Sequence, residues 1–493
     1  APADNNIYSA QNQFQMVYYH ELGTPQSQDV RIYRDNEHPL RYFHGEESYD
    51  GRYLFVDGSE GTSGTELLYR RTDERDFRVL FPGFKYDYYV IHAEGDTAWI
   101  YTNDGAPNFR LASINLANPA AGLVDVIPQT EEKLENVSMV GGYFFASYLS
   151  NAVSRVAQYA MDGTGIREVA LDALGSVGGF GGEKEDTETF YSLSTFTAPT
   201  TIYRYDLESG TSTLHERPEV AFNPEDYTTE QVFFTSKDGT RVPMFVIHKK
   251  GIKLNGKNPA YLYGYGGFNI SETPGFSPSW MMFLEQGGVV ADVNLRGGGE
   301  YGEAWHEAGM LANKQNVFDD FIAAAEHLIS AGYTSSDKLA IAGGSNGGLL
   351  VGAAMTQRPD LFAVALPAVG VMDMLRYHKF TVGWGWSVEY GNSDNAEQFE
   401  YIYKYSPLHN LREGVCYPAT LVTTADHDDR VVPAHSFKFA SQLQAVQACD
   451  TPVLIRIETD AGHGAGKPTS KRIDEAADTW AFVFQNTGTE VKF

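Results

Sequence analysis

The stretch that decides the fold is Leu339-Ala340-Ile341-Ala342-Gly343-Gly344-Ser345-Asn346-Gly347-Gly348-Leu349-Leu350. It has the pattern of an apolar strand, a sharp turn and the start of a helix, with Ser345 at the centre of a Gly-x-Ser-x-Gly sequence. A turn of this kind strains the serine backbone and lifts its Oγ clear of the sheet. Glycines flank the serine because a Cβ would collide with the adjoining strand or helix. The stretch therefore predicts a nucleophilic serine on an α/β sheet.

Residues 218–493 continue this pattern on both sides of the serine. A hairpin turn is predicted at Lys237–Thr240, and apolar strands then alternate with helices. The predicted strands are Ala260–Tyr263, Gly288–Val293, Lys338–Ala342, Phe362–Val369, Ala419–Ala425 and Val453–Glu458. The predicted helices include Val317–Ser330, Ala434–Cys449 and Lys471–Phe484. Such alternation is typical of a mostly parallel sheet covered on both faces, so we expect a C-terminal α/β-hydrolase domain over residues 218–493.

A serine nucleophile needs a base and an acid that orients the base, and both stand at later strand ends. In α/β-hydrolases the chain order is serine, acid, histidine. Asp428 lies in an aspartate-rich segment after one predicted strand, and His463 lies between glycines after the last strand. The residues alone leave Asp426 and Asp429 open as rival acids. We therefore expect Ser345 and His463 to be catalytic together with one of these three aspartates.

An oxyanion hole requires two donors aimed at the oxygen that becomes negative in the transition state. The backbone N–H of Asn346, directly after the nucleophile, is the first expected donor. The glycine-rich turn Tyr263–Phe268, which follows an early strand, is the expected source of the second.

Residues 1–217 have a different pattern of short strands and polar turns. Comparable strands at Tyr53–Val56, Ala98–Tyr101, Tyr143–Ala146 and Phe190–Leu193 recur roughly every 45 residues. A repeat of this length built from strands is typical of four-stranded propeller blades. The segment has room for fewer than five such blades, so we predict an N-terminal β-propeller domain that is incomplete in this chain.

Composition excludes several classes of function. The net charge of −27 argues against nucleic acid as a partner. We find no run of about 18 apolar residues and therefore expect no membrane partner. Cys416 and Cys449 are the only cysteines and suggest neither a disulfide framework nor a zinc site. They are compatible with a reducing, cytoplasmic compartment. We expect no metal and no other cofactor.

Several long motifs, in this order along the chain, resemble those of the prolyl oligopeptidase family. They are Tyr263–Asn269, Asn294–Gly302, Gly344–Gly348, Asp426–Pro433 and Ala461–Pro468. The resemblance covers residues 218–493 and extends more loosely through the propeller-like part. It implies a serine endopeptidase that hydrolyses short peptides after proline through an acyl-enzyme, with a propeller that excludes large proteins.

The resemblance also assigns roles to individual residues. It implies that Asp428 is the acid of the triad and that the Tyr265 hydroxyl is the second oxyanion donor. It implies that Arg430 binds a substrate carbonyl and that the substrate proline stacks on Trp386. The remaining residues of the implied apolar pocket are Phe268, Val371, Tyr390 and Val431.

Members of this family carry an N-terminal segment and further blades before the point where this sequence begins. We therefore expect that a separate N-terminal fragment of the same protein could be a partner, and that the enzyme is otherwise a monomer. Three alternatives stay open: a peptidase cutting after basic residues, a peptide macrocyclase on the same scaffold, and a catalytically inactive interaction module. The first needs an acidic pocket, for which Glu389 is the only nearby candidate in the matched segment.

Overall fold

The computed structural model describes residues 11–492, and its first part consists of antiparallel sheets. A hairpin of β1 (Met16–Tyr19) and β2 (Val30–Arg34) is followed by four sheets of four consecutive strands each. The first two sheets contain β3 (Tyr42–Glu47), β4 (Tyr53–Ser59), β5 (Glu66–Arg71), β6 (Arg78–Phe81), β7 (Tyr88–Glu94), β8 (Thr97–Thr102), β9 (Arg110–Asn115) and β10 (Val124–Ile127). The next two contain β11 (Lys133–Val140), β12 (Tyr143–Ser150), β13 (Val153–Ala160), β14 (Gly165–Glu168), β15 (Ser176–Gly181), β16 (Glu188–Ser194), β17 (Thr201–Asp206) and β18 (Ser212–Glu216).

The repeat predicted from the sequence is confirmed in these sheets, because each of the four predicted segments lies in the second strand of its sheet. Apolar faces of neighbouring sheets pack against each other and bury large aromatic rings. Between the third and fourth sheets, Phe145 stacks on Phe180 at a centroid distance of 4.6 Å and meets Tyr205 edge-on at 5.6 Å. Stacked four-stranded sheets of this kind form the blades of the predicted β-propeller.

The second part of the chain contains a sheet of eight strands. Their bounds are β19 (Tyr227–Thr235), β20 (Arg241–Lys249), β21 (Ala260–Gly264), β22 (Val289–Val293), β23 (Leu339–Gly344), β24 (Val364–Ala368), β25 (Ala419–Ala425) and β26 (Val453–Glu458). The strand order is β19-β20-β22-β21-β23-β24-β25-β26, antiparallel as far as β22 and parallel thereafter. The helices are α1 (Pro278–Glu285), α2 (Glu303–Glu307), α3 (Gln315–Ser330), α4 (Asn346–Gln357), α5 (Ser387–Tyr390), α6 (Ala396–Tyr405), α7 (Ala434–Val446) and α8 (Thr469–Thr487).

Helices cover both faces of this sheet, as the strand–helix alternation predicts. Phe321 of α3 and Leu350 of α4 belong to one apolar core, and Trp480 of α8 belongs to another. The parallel strands β21, β23, β24, β25 and β26 all end at the same edge, and the predicted site residues lie in the loops and helices that follow them. The α/β-hydrolase architecture and its position after the propeller strands are thus confirmed.

The two cysteines correct one expectation from the sequence. Cys416, before β25, and Cys449, after α7, form a disulfide bond with their Cα atoms 5.2 Å apart. The prediction of no disulfide was wrong because the pairing depends on where the end of α7 packs. Disulfides persist mainly in oxidising compartments, so this bond counts against the predicted reducing one. No helix within residues 11–492 is both long enough and apolar enough to cross a bilayer.

Candidate active site

Ser345 lies on a tight turn between the last residue of β23 and the first residue of α4. Its φ of 59° lies in the left-handed region, which a residue with a Cβ rarely adopts. The turn is held by the Ser345 N–H, which donates a hydrogen bond to the carbonyl of Ala368 at 2.8 Å. Ser345 is half-buried and lines a cavity, so its Oγ is available to a substrate.

Close backbone packing explains why glycines surround this serine. A Cβ at Gly343 would lie 2.5 Å from the Gly347 carbonyl oxygen, and a Cβ at Gly347 would lie 2.7 Å from the Gly264 carbonyl oxygen. Carbon atoms essentially never approach oxygen so closely without a covalent bond. The absence of these side chains lets α4 start directly against β21 and β23, as the sequence predicts.

Asp428 and His463 come together from loops after β25 and β26. The Asp428 Oδ2 atom lies 2.6 Å from the His463 Nδ1 atom, and the Asp428 side chain is fully buried. Its other oxygen accepts hydrogen bonds from the N–H groups of Arg430 at 3.0 Å and Val431 at 2.9 Å. These contacts fix the carboxylate and, through it, the orientation of the imidazole ring, as a catalytic base requires.

The two rival aspartates make different contacts. Asp426 lies 2.6 Å from Nδ1 of His427, its neighbour, and Asp429 is exposed to solvent. His427 and Asp426 also form, with Asp460, a group whose potential metal-ligand atoms lie within 4.8 Å of one another among the described residues. This group lies at the surface, and one nitrogen of His427 already faces Asp426. Only Asp428 is placed to orient His463.

Tyr265 and Ser345 line the same cavity, which places the phenol beside the nucleophile. No hydrogen bond within residues 11–492 joins the Ser345 side chain to His463. In free enzymes such catalytic hydrogen bonds are often long and tighten only when substrate binds. Burial, assisted by nearby carboxylates, raises the pKa of Tyr265 to about 12. The phenol therefore keeps its proton at neutral pH and can donate to an oxyanion.

Asn346 connects the two expected oxyanion donors. Its Nδ2 atom donates to the carbonyl of Tyr265 at 2.6 Å, and its Oδ1 atom accepts from the Tyr390 hydroxyl at 2.8 Å. As the first residue of α4, Asn346 has a backbone N–H without a partner inside the helix. The side chain thus ties the Tyr265 turn to the start of the helix that supplies the other donor.

A cavity of about 400 Å³ opens beside Ser345. Its lining residues are Thr62, Tyr265, Phe268, Ile270, Ser345, Val371, Val382, Trp386, Tyr390 and Arg430. Trp386 stacks on Tyr377 at a centroid distance of 6.2 Å, which holds one face of the indole in place. Phe268 meets Tyr390 edge-on at 5.4 Å. The structure therefore brings most of the predicted pocket residues together around the serine.

Some residues differ from the expectation. Val431 is buried but does not line this cavity, and its contribution is the N–H that binds Asp428. Ile270 and Val382 line the cavity without having been predicted, although Ile270 directly follows the motif Tyr263–Asn269 and Val382 lies four residues before Trp386. Thr62 comes from the turn between β4 and β5 in the propeller. No local pattern marks Thr62, because only the packing of the two domains brings it to the site.

Glu389, the acidic residue that a basic specificity would need, does not line the cavity. It is buried, where it contacts Nε2 of His306 at 2.8 Å and accepts the N–H of Phe268 at 2.9 Å. Burial alone would raise the pKa of Glu389, but His306, Lys314 and the Phe268 N–H together hold it below its ordinary value. The acidic candidate that the sequence offered for a basic specificity is therefore paired inside the protein and does not line the pocket.

The protein is thus a serine hydrolase of the α/β type whose site lies under a β-propeller. The sequence profile of the Prolyl oligopeptidase family matches residues 274–490, and that of its N-terminal β-propeller domain matches residues 1–218. Prolyl endopeptidase of Elizabethkingia miricola is 49% identical over 490 residues, which are 99% of this chain and 69% of the relative. The chain belongs to the prolyl oligopeptidase family of serine peptidases.

Solved structures of prolyl oligopeptidase B and oligopeptidase B have the same fold as this chain. Prolyl oligopeptidase B from Galerina marginata, bound to a 35mer hydrolysis and macrocyclization substrate, superposes with a TM-score of 0.95 at 38% identity, covering 100% of this chain and 70% of that one. Oligopeptidase B from Leishmania major superposes with a TM-score of 0.89 at 27% identity, covering 97% and 69%.

Proposed function

We propose that this protein is an endopeptidase that hydrolyses short peptides on the carboxyl side of proline through an acyl-enzyme. The observation that carries the proposal is the strained Ser345 elbow, which opens into an aromatic cavity beside the Asp428–His463 pair. The similarity to prolyl endopeptidases over nearly the whole chain supports the same assignment.

In this mechanism His463 takes the proton of Ser345 as Oγ attacks the carbonyl carbon of the substrate proline. The tetrahedral oxyanion accepts hydrogen bonds from the Tyr265 hydroxyl and the Asn346 N–H. Protonated His463 then gives its proton to the leaving amine, and the acyl-enzyme forms. Water, deprotonated by His463, releases the peptide acid. Asp428 stabilises the imidazolium throughout.

Proline specificity follows from the shape and composition of the cavity. A proline ring is compact, apolar and without an N–H, so it binds well against flat aromatic walls that offer no polar partner. Trp386 and Phe268 supply such walls. The Arg430 guanidinium at the cavity rim has a fixed fork of donors and is suited to bind a substrate carbonyl one residue before the proline.

Active-site labelling tests the proposal most directly. A fluorophosphonate probe should modify Ser345, identified by peptide mass mapping, and should abolish cleavage after proline. Ser345→Ala should bind proline peptides but lose roughly 10⁴-fold or more in kcat. Labelling of another serine, or wild-type protein that cleaves after arginine and not after proline, would contradict the proposal.

We further propose that the enzyme acts as a monomer. Light scattering of the purified protein tests this and would also reveal a bound N-terminal fragment. The cytoplasmic compartment expected from the sequence stays a prediction, against which the Cys416–Cys449 disulfide counts. Alkylation of cells before lysis, followed by mass analysis of the peptides containing these cysteines, decides between a reduced and an oxidised pair.

A further inference from the structure

A set of four charged side chains, three of them buried and one half-buried, lies behind the turn that carries Tyr265 and Phe268. Its members are Glu303, His306, Lys314 and Glu389, and we call it the charged relay. None of them lines the substrate cavity. The mechanism proposed above uses none of them either. Ionised side chains are costly to bury unless they are paired with opposite charges.

Two members of the charged relay hold the turn directly. Glu389 accepts the N–H of Phe268 at 2.9 Å, and the Lys314 ammonium donates to the carbonyl of Gly266 at 2.9 Å. These bonds therefore hold Gly266, which directly follows Tyr265, and Phe268, which forms a wall of the pocket. Phe268 has a φ of 59°, an uncommon conformation that needs such external support.

His306 connects this pair to Glu303. Its Nε2 atom lies 2.8 Å from Glu389, and its Nδ1 atom lies 3.7 Å from Glu303. Burial alone would lower the pKa of His306, but its interactions with the two carboxylates, Glu303 and Glu389, outweigh burial and raise it to about 9. At neutral pH the imidazole is therefore charged. Two negative and two positive charges then balance, and of the four side chains only that of Glu303 is partly exposed to solvent.

The charged relay ends on the propeller. The Oε1 atom of Glu303 accepts a hydrogen bond from Nδ2 of Asn103, at the end of β8, at 3.3 Å, and another from Asn269 at 3.0 Å. Asn103 is itself held by Asp87, because the Oδ1 atom of Asn103 accepts a hydrogen bond from the backbone N–H of Asp87 at 2.8 Å. A continuous set of contacts thus runs from the second propeller sheet to the backbone of the oxyanion turn.

We propose that Glu303, His306 and Glu389 are positioning residues that set the geometry of the Tyr265–Phe268 turn according to how the propeller docks through Asn103. The inference rests on the proposed function, because the turn matters only if Tyr265 and Phe268 serve the reaction. Loss of the relay tilts the oxyanion donor and the pocket wall without touching Ser345, Asp428 or His463.

His306→Gln removes the positive charge from the centre of the relay. We expect kcat/KM for a short proline peptide to fall by about 10²-fold, the loss typical of misplacing catalytic groups by a small distance. Affinity for a peptide aldehyde ending in proline, whose adduct with Ser345 places an oxygen in the oxyanion hole, should fall in parallel. A merely destabilised enzyme would keep wild-type aldehyde affinity in its folded fraction, measured below its melting temperature.

His248→Gln is the matched control. His248 is also a buried histidine of the hydrolase domain beside a glutamate, Glu230 at 3.9 Å, but it contacts neither the turn nor the propeller contact at Asn103. It should leave kcat/KM and aldehyde affinity unchanged. Wild-type values of both quantities in folded His306→Gln would overturn the inference, whereas wild-type protein inactive on proline peptides would instead defeat the proposed function.

A propeller variant tests the coupling and does not depend on the folding of His306→Gln. Asn103→Ala should lower kcat/KM and aldehyde affinity, whereas Asn115→Ala, whose side chain bonds only within its own loop, should not. Combined with His306→Gln, Asn103→Ala should add little further loss, a departure from additivity of roughly 3-fold or more. Full activity in Asn103→Ala, or strict additivity in the double variant, would show that the propeller is not coupled to the turn.

Discussion

At the scale of single residues, three neighbouring aspartates differ in their contacts, and this difference gives the first prediction. Asp428→Asn should lower kcat by about 10⁴-fold, because an amide favours the wrong tautomer of His463. Asp426→Asn and Asp429→Asn should have much smaller effects, since Asp426 is paired with His427 and Asp429 is exposed to solvent. Steady-state kinetics of the three variants measures this. Equal damage from either neighbour would mean that the acid has been assigned wrongly.

The second prediction concerns the pocket wall. Trp386→Ala removes the surface on which the proline ring stacks, worth about 1 kcal/mol beyond the buried area. We expect kcat/KM for proline peptides to fall by roughly 10- to 1,000-fold at about 1.4 kcal/mol per decade. Fluorophosphonate labelling of Ser345 should change far less, because the triad is not touched.

Trp384→Ala provides the control for this change. Trp384 lies in the same segment but stacks on Tyr42 of the propeller at 5.9 Å and does not line the cavity. Its loss should reduce proline cleavage less than the loss of Trp386. If Trp386→Ala cleaved proline peptides normally, the cavity would not be the proline pocket.

At the scale of elements, the junction of β23 and α4 distinguishes two adjacent glycines. A Cβ at Gly343 would lie 2.5 Å from one backbone oxygen and 2.8 Å from another, whereas a Cβ at Gly344 finds its nearest neighbour at 3.9 Å. Gly343→Ala must therefore push helix and strand apart and should cost about 1–3 kcal/mol of stability. Gly344→Ala should be tolerated. Urea unfolding of both variants measures the difference, and equal midpoints would contradict it.

At the scale of the whole molecule, the propeller covers the edge of the sheet where the site lies. Tyr42 packs on Trp384, Thr62 lines the substrate cavity and Asn103 bonds to Glu303. We therefore predict selection by size: short proline peptides should be cleaved, while a large unfolded proline-rich protein should persist. Gel electrophoresis of the digests tests this, with enzyme whose intact mass has been measured. Rapid degradation of the large substrate would exclude gating.

The sequence by itself determined the division into strand repeats and an α/β domain, the elbow at Ser345 and the histidine between glycines. These features depend on local periodicity and on backbone conformations that only glycine tolerates, so they can be read within one segment. The resemblance to the family then indicated most of the pocket residues, because it assigns their roles residue by residue.

Only the tertiary structure showed that Asp428 contacts His463, that Cys416 pairs with Cys449, and that Glu389 is buried among charges rather than exposed in the pocket. It alone brought Thr62 to the cavity. Each of these features depends on contacts between segments that are far apart in the chain. Neighbouring residues of one type, such as the aspartates, cannot be told apart until packing buries one and leaves another exposed to water. Local sequence carries no record of which distant backbone will lie against it, and that is the physical reason why these features required the folded structure.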